Sequence, residues 1–172
     1  MDINDLDAIQ MLWVLRRMRD EGKYLDGREI KNPPMFFLGA AASPFSSNVK
    51  FQALREQKKV NAGAQFFQTN LIFDVDGMER WLNELAKRNV LDKVFILAGV
   101  TPIKSLKMAQ RLADVPGVYL PKEILHRIEV ADRAGNAQEE GIQIALEIIS
   151  KIRGYEKQGI HGIHLMPVGW DE

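Results

Sequence analysis

Short unbroken apolar runs alternate along the chain with stretches in which apolar residues recur every three or four positions. The runs are Met35–Ala42 (MFFLGAAA), Gln65–Phe73 (QFFQTNLIF), Lys93–Val100 (KVFILAGV) and Gly162–Met166 (GIHLM), each bounded by proline or turn residues. Runs of this length and makeup predict strands buried in a parallel sheet. The periodic stretches predict helices over Asp5–Glu21, Asn48–Asn61, Asp76 to about Asn89, Ser105–Ala113, Lys122–Ala131 and Asn136 to about Lys157. Their inward residues are expected to be Leu6, Ile9, Leu12, Trp13 and Met18; Phe51, Leu54 and Val60; Trp81, Leu82 and Leu85; Ile124, Leu125 and Ile128; and Ile142, Ala145, Ile149 and Ile152. Acidic and amide residues (Asp2, Asn4, Asp5, Asp7) crowd the first helix start, and Asp76–Glu79 and Asn136–Glu139 read as capping boxes. Val118–Leu120 reads as a short extra strand.

Strands separated by helices of this length imply right-handed βαβ units and a parallel sheet. Four strands do not close a barrel, which needs eight. The pattern therefore leaves two architectures, a small open doubly wound sheet or part of a barrel. The 172 residues are expected to form one α/β domain over 1–172.

Composition narrows the partners more than the fold. Lys plus Arg and Asp plus Glu are equal at 23 each, so overall charge favours neither nucleic acid nor a membrane surface. Absence of cysteine excludes disulfides, thiolate metal sites and cysteine nucleophiles. The acidic, polar start lacks a signal-peptide pattern and no apolar run approaches the roughly 20 residues that span a bilayer. A cytoplasmic domain is the expectation.

Residues that carry chemistry are sparse, and the informative stretch is QFFQTNLIFD, Gln65–Asp74. Gln68, Thr69 and Asn70 interrupt an otherwise apolar strand. Unpaired, each costs roughly 1–3 kcal/mol, so neighbouring strands or a ligand must satisfy them. Alternation puts Gln68 and Asn70 on one face and Thr69 on the other. The polar residues lie toward the strand's C-terminal end, where parallel α/β architectures bind ligands. Lys58 and Lys59 offer either a solvated helix face or a cationic patch for phosphates. His161 and His164 fall on opposite faces of the last strand, a poor arrangement for one metal, and no metal site is expected. Nucleophile-elbow, phosphate-loop and dinucleotide motifs are all missing. On these grounds the residues describe a ligand-binding α/β domain without a readable reaction.

Several stretches, taken in order, resemble the methylenetetrahydrofolate reductase family. They are FFLGAAASPF (Phe36–Phe45), LREQKKVNAGAQFFQTNLIFD (Leu54–Asp74), LAGVTPIKSLKMAQRLAD (Leu97–Asp114) with VYLP (Val118–Pro121), and the close, EEGIQIALEIISKIR (Glu139–Arg153) followed by GIHGIHLMPVGWDE (Gly159–Glu172). The ending HLMPVGW looks most like a bacterial and archaeal branch of acetogenic, one-carbon metabolism. The resemblance implies a flavin-holding (β/α)8 TIM barrel in which reduced FAD (or FMN) passes a hydride to 5,10-methylenetetrahydrofolate, a step toward methionine biosynthesis. By position it places Ala41, Ala42, Ser43, Gln52, Arg55, Lys58, Lys59 and Met166 at the flavin, with the two lysines facing its diphosphate. It places Gln68, Asn70, Met108, Leu112 and Trp170 at the folate. Asn70 stands where the family has a pterin-bonding glutamine, and is one methylene, about 1.5 Å, shorter.

The same resemblance assigns this chain to about four parallel strands and their helices, the C-terminal half of the barrel. The family's catalytic carboxylates belong to the other half, so no catalytic residue is assigned here and the chain is expected to be inactive alone. A half barrel exposes two sheet edges and its apolar interior. It is therefore expected to pair with a separate N-terminal half or a second copy of itself. The alternative is a non-catalytic half-barrel module that binds flavin, pterin or a partner.

Overall fold

The computed structural model describes residues 6–170. In chain order the elements are α1 (Ala8–Asp20), β1 (Gly39–Ala42), α2 (Val49–Ala62), β2 (Phe66–Leu71), α3 (Val75–Ala86), β3 (Phe95–Val100), α4 (Leu106–Ala113), α5 (Lys122–Ala134), α6 (Ala137–Arg153) and β4 (Gly162–Leu165). Single 3-10 turns, Leu91–Lys93 and Glu156–Gln158, precede β3 and β4. The four strands are all parallel in the order β1-β2-β3-β4. Val118–Leu120 contributes one parallel bridge, Tyr119 to Ile72, rather than a strand.

Burial decides between the two architectures the sequence left open. In β2, Phe67, Thr69 and Leu71 are buried while Phe66, Gln68 and Asn70 are not, and Ile96 and Ala98 of β3 are buried opposite an exposed Phe95. One face of the sheet is thus packed by helices and the other is bare. A doubly wound sheet covers both faces, whereas a barrel keeps its helices on one. The chain is half of a (β/α)8 barrel, its lumen wall open.

The packed face forms one core. Phe67, Ile72, Met78, Trp81, Leu82, Leu85, Ile96, Ile128, Ile144 and Ile152 have essentially no exposed surface. Gly141 in α6 is where that helix touches the segment leaving β3. A Cβ there would stand 1.8 Å from the Ile103 carbonyl oxygen. The bare face carries an aromatic row near the strands' N-terminal ends. Phe37 stacks on Phe66 with centroids 5.4 Å apart, lies 6.3 Å from Phe95, and Phe95 meets the His161 ring edge-on at 5.0 Å.

Several expectations need correction. The first strand begins at Gly39, and Met35 and Phe37 are exposed, because the run divides between the two faces of the sheet and only Leu38 and Ala42 are fully buried in the core. Trp13, Phe51 and Ile142 are exposed as well, since each falls just off its helix's inward stripe. The expected box at Asp76 is replaced by Asp74, whose side chain accepts from Gly77 N–H, and Asn136 makes no side-chain cap. The capping box that does form joins Asp7 and Gln10 at α1. Asp2, Asn4 and Asp5 lie outside the described residues.

Candidate functional site

The polar triplet of β2 divides between two tasks. Three β2 residues, Thr69 to Leu71, run against Ala98 and Gly99 of β3, which makes a β-bulge. Thr69 Oγ1 sits in that irregularity, accepting from Gly99 N–H at 2.9 Å and donating to the Asn70 carbonyl at 2.8 Å. A neighbouring strand therefore satisfies Thr69. Gln68 is exposed on the bare face with no hydrogen bond among the described residues, so its amide is open.

Asn70 is the best-positioned of the three. Its amide NH2 donates to Ser43 Oγ at 3.3 Å and, at 3.5 Å, to the Gly117 carbonyl, leaving Oδ1 without a partner among the described residues. Gly117 has φ +81°, and a Cβ there would stand 2.6 Å from the Asn70 amide nitrogen, so only glycine lets the two meet. Met166, just past β4, lays its methyl over Gly99, where a Cβ would be 2.6 Å away. His164 is level with Gly99, and its Nδ1 is buried without a partner among the described residues. Ser43, Asn70 and Gly117 thus meet at the C-terminal ends of the strands, with Met166 over Gly99 of the next strand.

Behind Ser43 stands Glu56, a buried carboxylate on α2 that sequence reading missed. It accepts from Ser43 N–H at 3.1 Å, from the Gln52 amide at 3.0 Å and from the Trp81 indole at 2.5 Å. Burial pushes its carboxyl above the ordinary range, and the three hydrogen bonds and Lys59 oppose the shift only in part. The signal was available. Glu56 and Lys59 fall with Ala53 on the helical stripe that faces the sheet, where an uncharged residue belongs.

Lys59 has a different post from the one expected. Its side chain is 7% exposed, and Nζ donates to the Ala41 carbonyl at 2.6 Å. The register directs Leu38 O toward β2, which turns the Ala41 carbonyl to the unpaired edge of β1. Lys59 therefore caps a free sheet edge, and burial holds its ammonium below the ordinary lysine range. Lys58 and Arg55 point to solvent with no ion pair among the described residues. Ala41 is exposed on the bare face, while Ala42 is fully buried on the helix side.

Met108 and Leu112 lie apart from this cluster, in a cleft of about 350 Å3 between α4 and the loop 168–169. Trp170 closes that loop onto the end of β3, its indole N–H donating to the Pro102 carbonyl at 3.1 Å. A larger cleft of about 410 Å3 lies at the N-terminal ends of β3 and β4 beside Phe95 and His161, the end that parallel barrels reserve for stability. Among the described residues no group of three or more acidic or histidine side chains is placed to hold a metal ion, and no helix is long and apolar enough to cross a membrane.

Comparison with known proteins puts this geometry in a family. The profile described as Methylenetetrahydrofolate reductase matches residues 33–171, which include both clusters. The 5,10-methylenetetrahydrofolate reductase of Buchnera aphidicola subsp. Acyrthosiphon pisum is 26% identical over 122 residues, 70% of this chain and 40% of that protein. Methylenetetrahydrofolate reductase (NADH) 1 of Arabidopsis thaliana is 29% identical over 117 residues, 67% of this chain and 19% of that protein. An uncharacterized protein from Clostridium thermocellum, solved with two copies of 5-methyl-5,6,7,8-tetrahydrofolic acid, superimposes with a TM-score of 0.61 at 20% identity, over 77% of this chain and 47% of that one. The chain spans 40% or less of these two curated relatives. With the profile running through both clusters, the chain belongs to the methylenetetrahydrofolate reductase family.

Proposed function

We propose that the chain is the C-terminal half of a flavin-dependent methylenetetrahydrofolate reductase, competent to convert 5,10-methylenetetrahydrofolate to 5-methyltetrahydrofolate when a complementary set of four (βα) units closes the barrel. The observation that carries the reading is the Ser43–Asn70–Gly117 cluster at the strand ends, inside the segment that matches the family. The tetrahydrofolate bound by the Clostridium thermocellum protein supports a reduced folate as the ligand. Asn70 offers the pterin an oriented Oδ1, because Ser43 and Gly117 hold its nitrogen.

The residues suit a flavin (FAD or FMN). Ala41 leaves the lumen wall low toward the strand ends, while the Phe66 ring fills the space over Gly39; Met166 covers Gly99, and Arg55 and Lys58 offer unpaired cations to phosphate. When bound, the flavin supplies the hydride; this chain's residues orient the acceptor and line the lumen. Lys58 is the freer phosphate ligand, since Lys59 is held by Ala41. Lys58→Ala is expected to weaken flavin affinity of the closed barrel about tenfold, roughly 1.4 kcal/mol, without changing thermal stability. Fluorescence titration with FAD and FMN measures it; unchanged affinity removes the phosphate assignment. Failure of the closed barrel to bind both flavin and 5-methyltetrahydrofolate removes the reductase reading.

A non-catalytic module is the second reading. It is favoured by Asn70, whose donors are already engaged, and it is distinguished by flavin or folate binding without turnover in the closed barrel.

A further inference from the structure

Two charged residues of α2, Glu56 and Lys59, are buried one turn apart, yet no ion pair joins them among the described residues. As a stabilising device the pair is a poor choice, because apolar residues of similar volume serve a packed stripe as well or better. Each side chain is committed instead to the main chain around the end of β1. Lys59 Nζ donates to the Ala41 carbonyl at 2.6 Å, and Glu56 Oε1 accepts from Ser43 N–H at 3.1 Å. Residues 41 and 43 share one side of the strand, and that side is the edge no other strand covers.

A donor to the carbonyl of residue 41 and an acceptor for the N–H of residue 43 are what one residue of a neighbouring parallel strand, opposite Ala42, would offer. Glu56 and Lys59 together stand in for one rung of that ladder. The rung lies next to the strand-end cluster, since β1 ends at Ala42 and Ser43 is the first residue beyond it. Ser43 Oγ then accepts from the Asn70 amide at 3.3 Å. Glu56 is itself held from two other directions, by the Gln52 amide on its own helix and by the Trp81 indole of α3. We infer that Glu56 is a positioning residue of the strand-end site: it fixes the Ser43 main chain, and through the Ser43 hydroxyl it aims Asn70 Oδ1 at the ligand. The identity of that ligand rests on the folate reading; the aiming of Asn70 is tested without it.

The first test uses the full chain alone. Lys59 is the charged neighbour of Glu56, and Ser43, Gln52 and Trp81 are its uncharged partners. In proton–nitrogen NMR spectra the Ser43 backbone N–H and the Asn70 side-chain NH2, identified by its loss in Asn70→Asp, are expected to shift together with pH. Their shared midpoint is expected above the ordinary carboxyl value of 4.5, and Glu56→Gln is expected to abolish both shifts. Ser43→Ala leaves the main-chain rung in place, so the N–H of residue 43 still titrates while the Asn70 shift disappears. A carboxylate that merely filled the core would move Ser43 and leave Asn70 still. That result, or an Asn70 shift that persists in either variant, overturns the inference.

The second test measures 5-methyltetrahydrofolate binding to the closed barrel. Glu56→Gln and Ser43→Ala are each expected to weaken it about fivefold, the scale of one hydrogen bond, and the double variant no further than the weaker single one. Losses that simply add overturn the inference, because Glu56 then acts by a route other than Ser43. If the parent barrel ignores the folate, the folate reading fails, and coupled Ser43 and Asn70 shifts in the chain alone still support the positioning.

Discussion

Trp81→Ala is expected to remove about 3–5 kcal/mol of unfolding free energy, enough to leave the domain partly unfolded at 37 °C if its total lies in the usual range of roughly 5–15 kcal/mol. Trp81 has no exposed surface, so its loss opens a cavity in the middle of the core beneath α3. It also takes one donor from the buried Glu56 carboxylate. Trp81→Phe separates the two contributions, since it keeps an aromatic ring and removes the N–H; about 1.5–3 kcal/mol is expected for that step. Urea unfolding followed by circular dichroism measures both, and a loss below about 1 kcal/mol for the alanine variant contradicts the packing described.

The same network sets a pH dependence. Glu56 is harder to ionise in the folded chain than in the unfolded one, so the folded state binds the extra proton. Its contribution is therefore most favourable below the ordinary carboxyl value of 4.5 and is lost as pH rises through the higher folded value. Relative to Glu56→Gln, the parent chain is expected to lose stability across that window; parallel curves for the two overturn the assignment.

The second large effect concerns assembly. Alone, the chain is expected to retain no flavin through gel filtration; joined to or mixed with four complementary (βα) units, it is expected to retain flavin near one per barrel. The reason is geometric. Phe37 and Phe95 are 60% and 52% exposed on the bare face, and β1 and β4 each have an unpaired edge. A flat ligand on such a wall is covered from one side only, and water competes for its other face. Stoichiometric flavin on the isolated chain would defeat the proposal that closure completes the site.

The order of strands and helices was legible because hydrophobic period changes cleanly from run to stripe along this chain. The side of burial was less legible. Phe37 and Phe95 look like core residues in a sequence, yet they face the open lumen, since apolarity marks a surface to be covered without saying by what. Asn70 was readable as a polar interruption of an apolar strand, and the structure adds that Ser43 and Gly117 hold its amide. Glu56 and Lys59 were legible only by their place on the inward stripe with Ala53, against the usual rule that a glutamate and a lysine mark a helix's wet side; here both are turned inward and held by hydrogen bonds. The cleft beside Met108 became visible only once α4 and the last loop were folded together.

The contact of Gly141 on Ile103 has a consequence in time. Ser43, Asn70 and Gly117 are all present once the first 117 residues exist, whereas the segment leading into α4 gains its backing only when α6 has been made and docked. During synthesis the strand-end cluster is therefore able to mature first, and the cleft beside α4 takes shape after it. A ribosome-bound chain that stops before residue 141 would carry the first without the second.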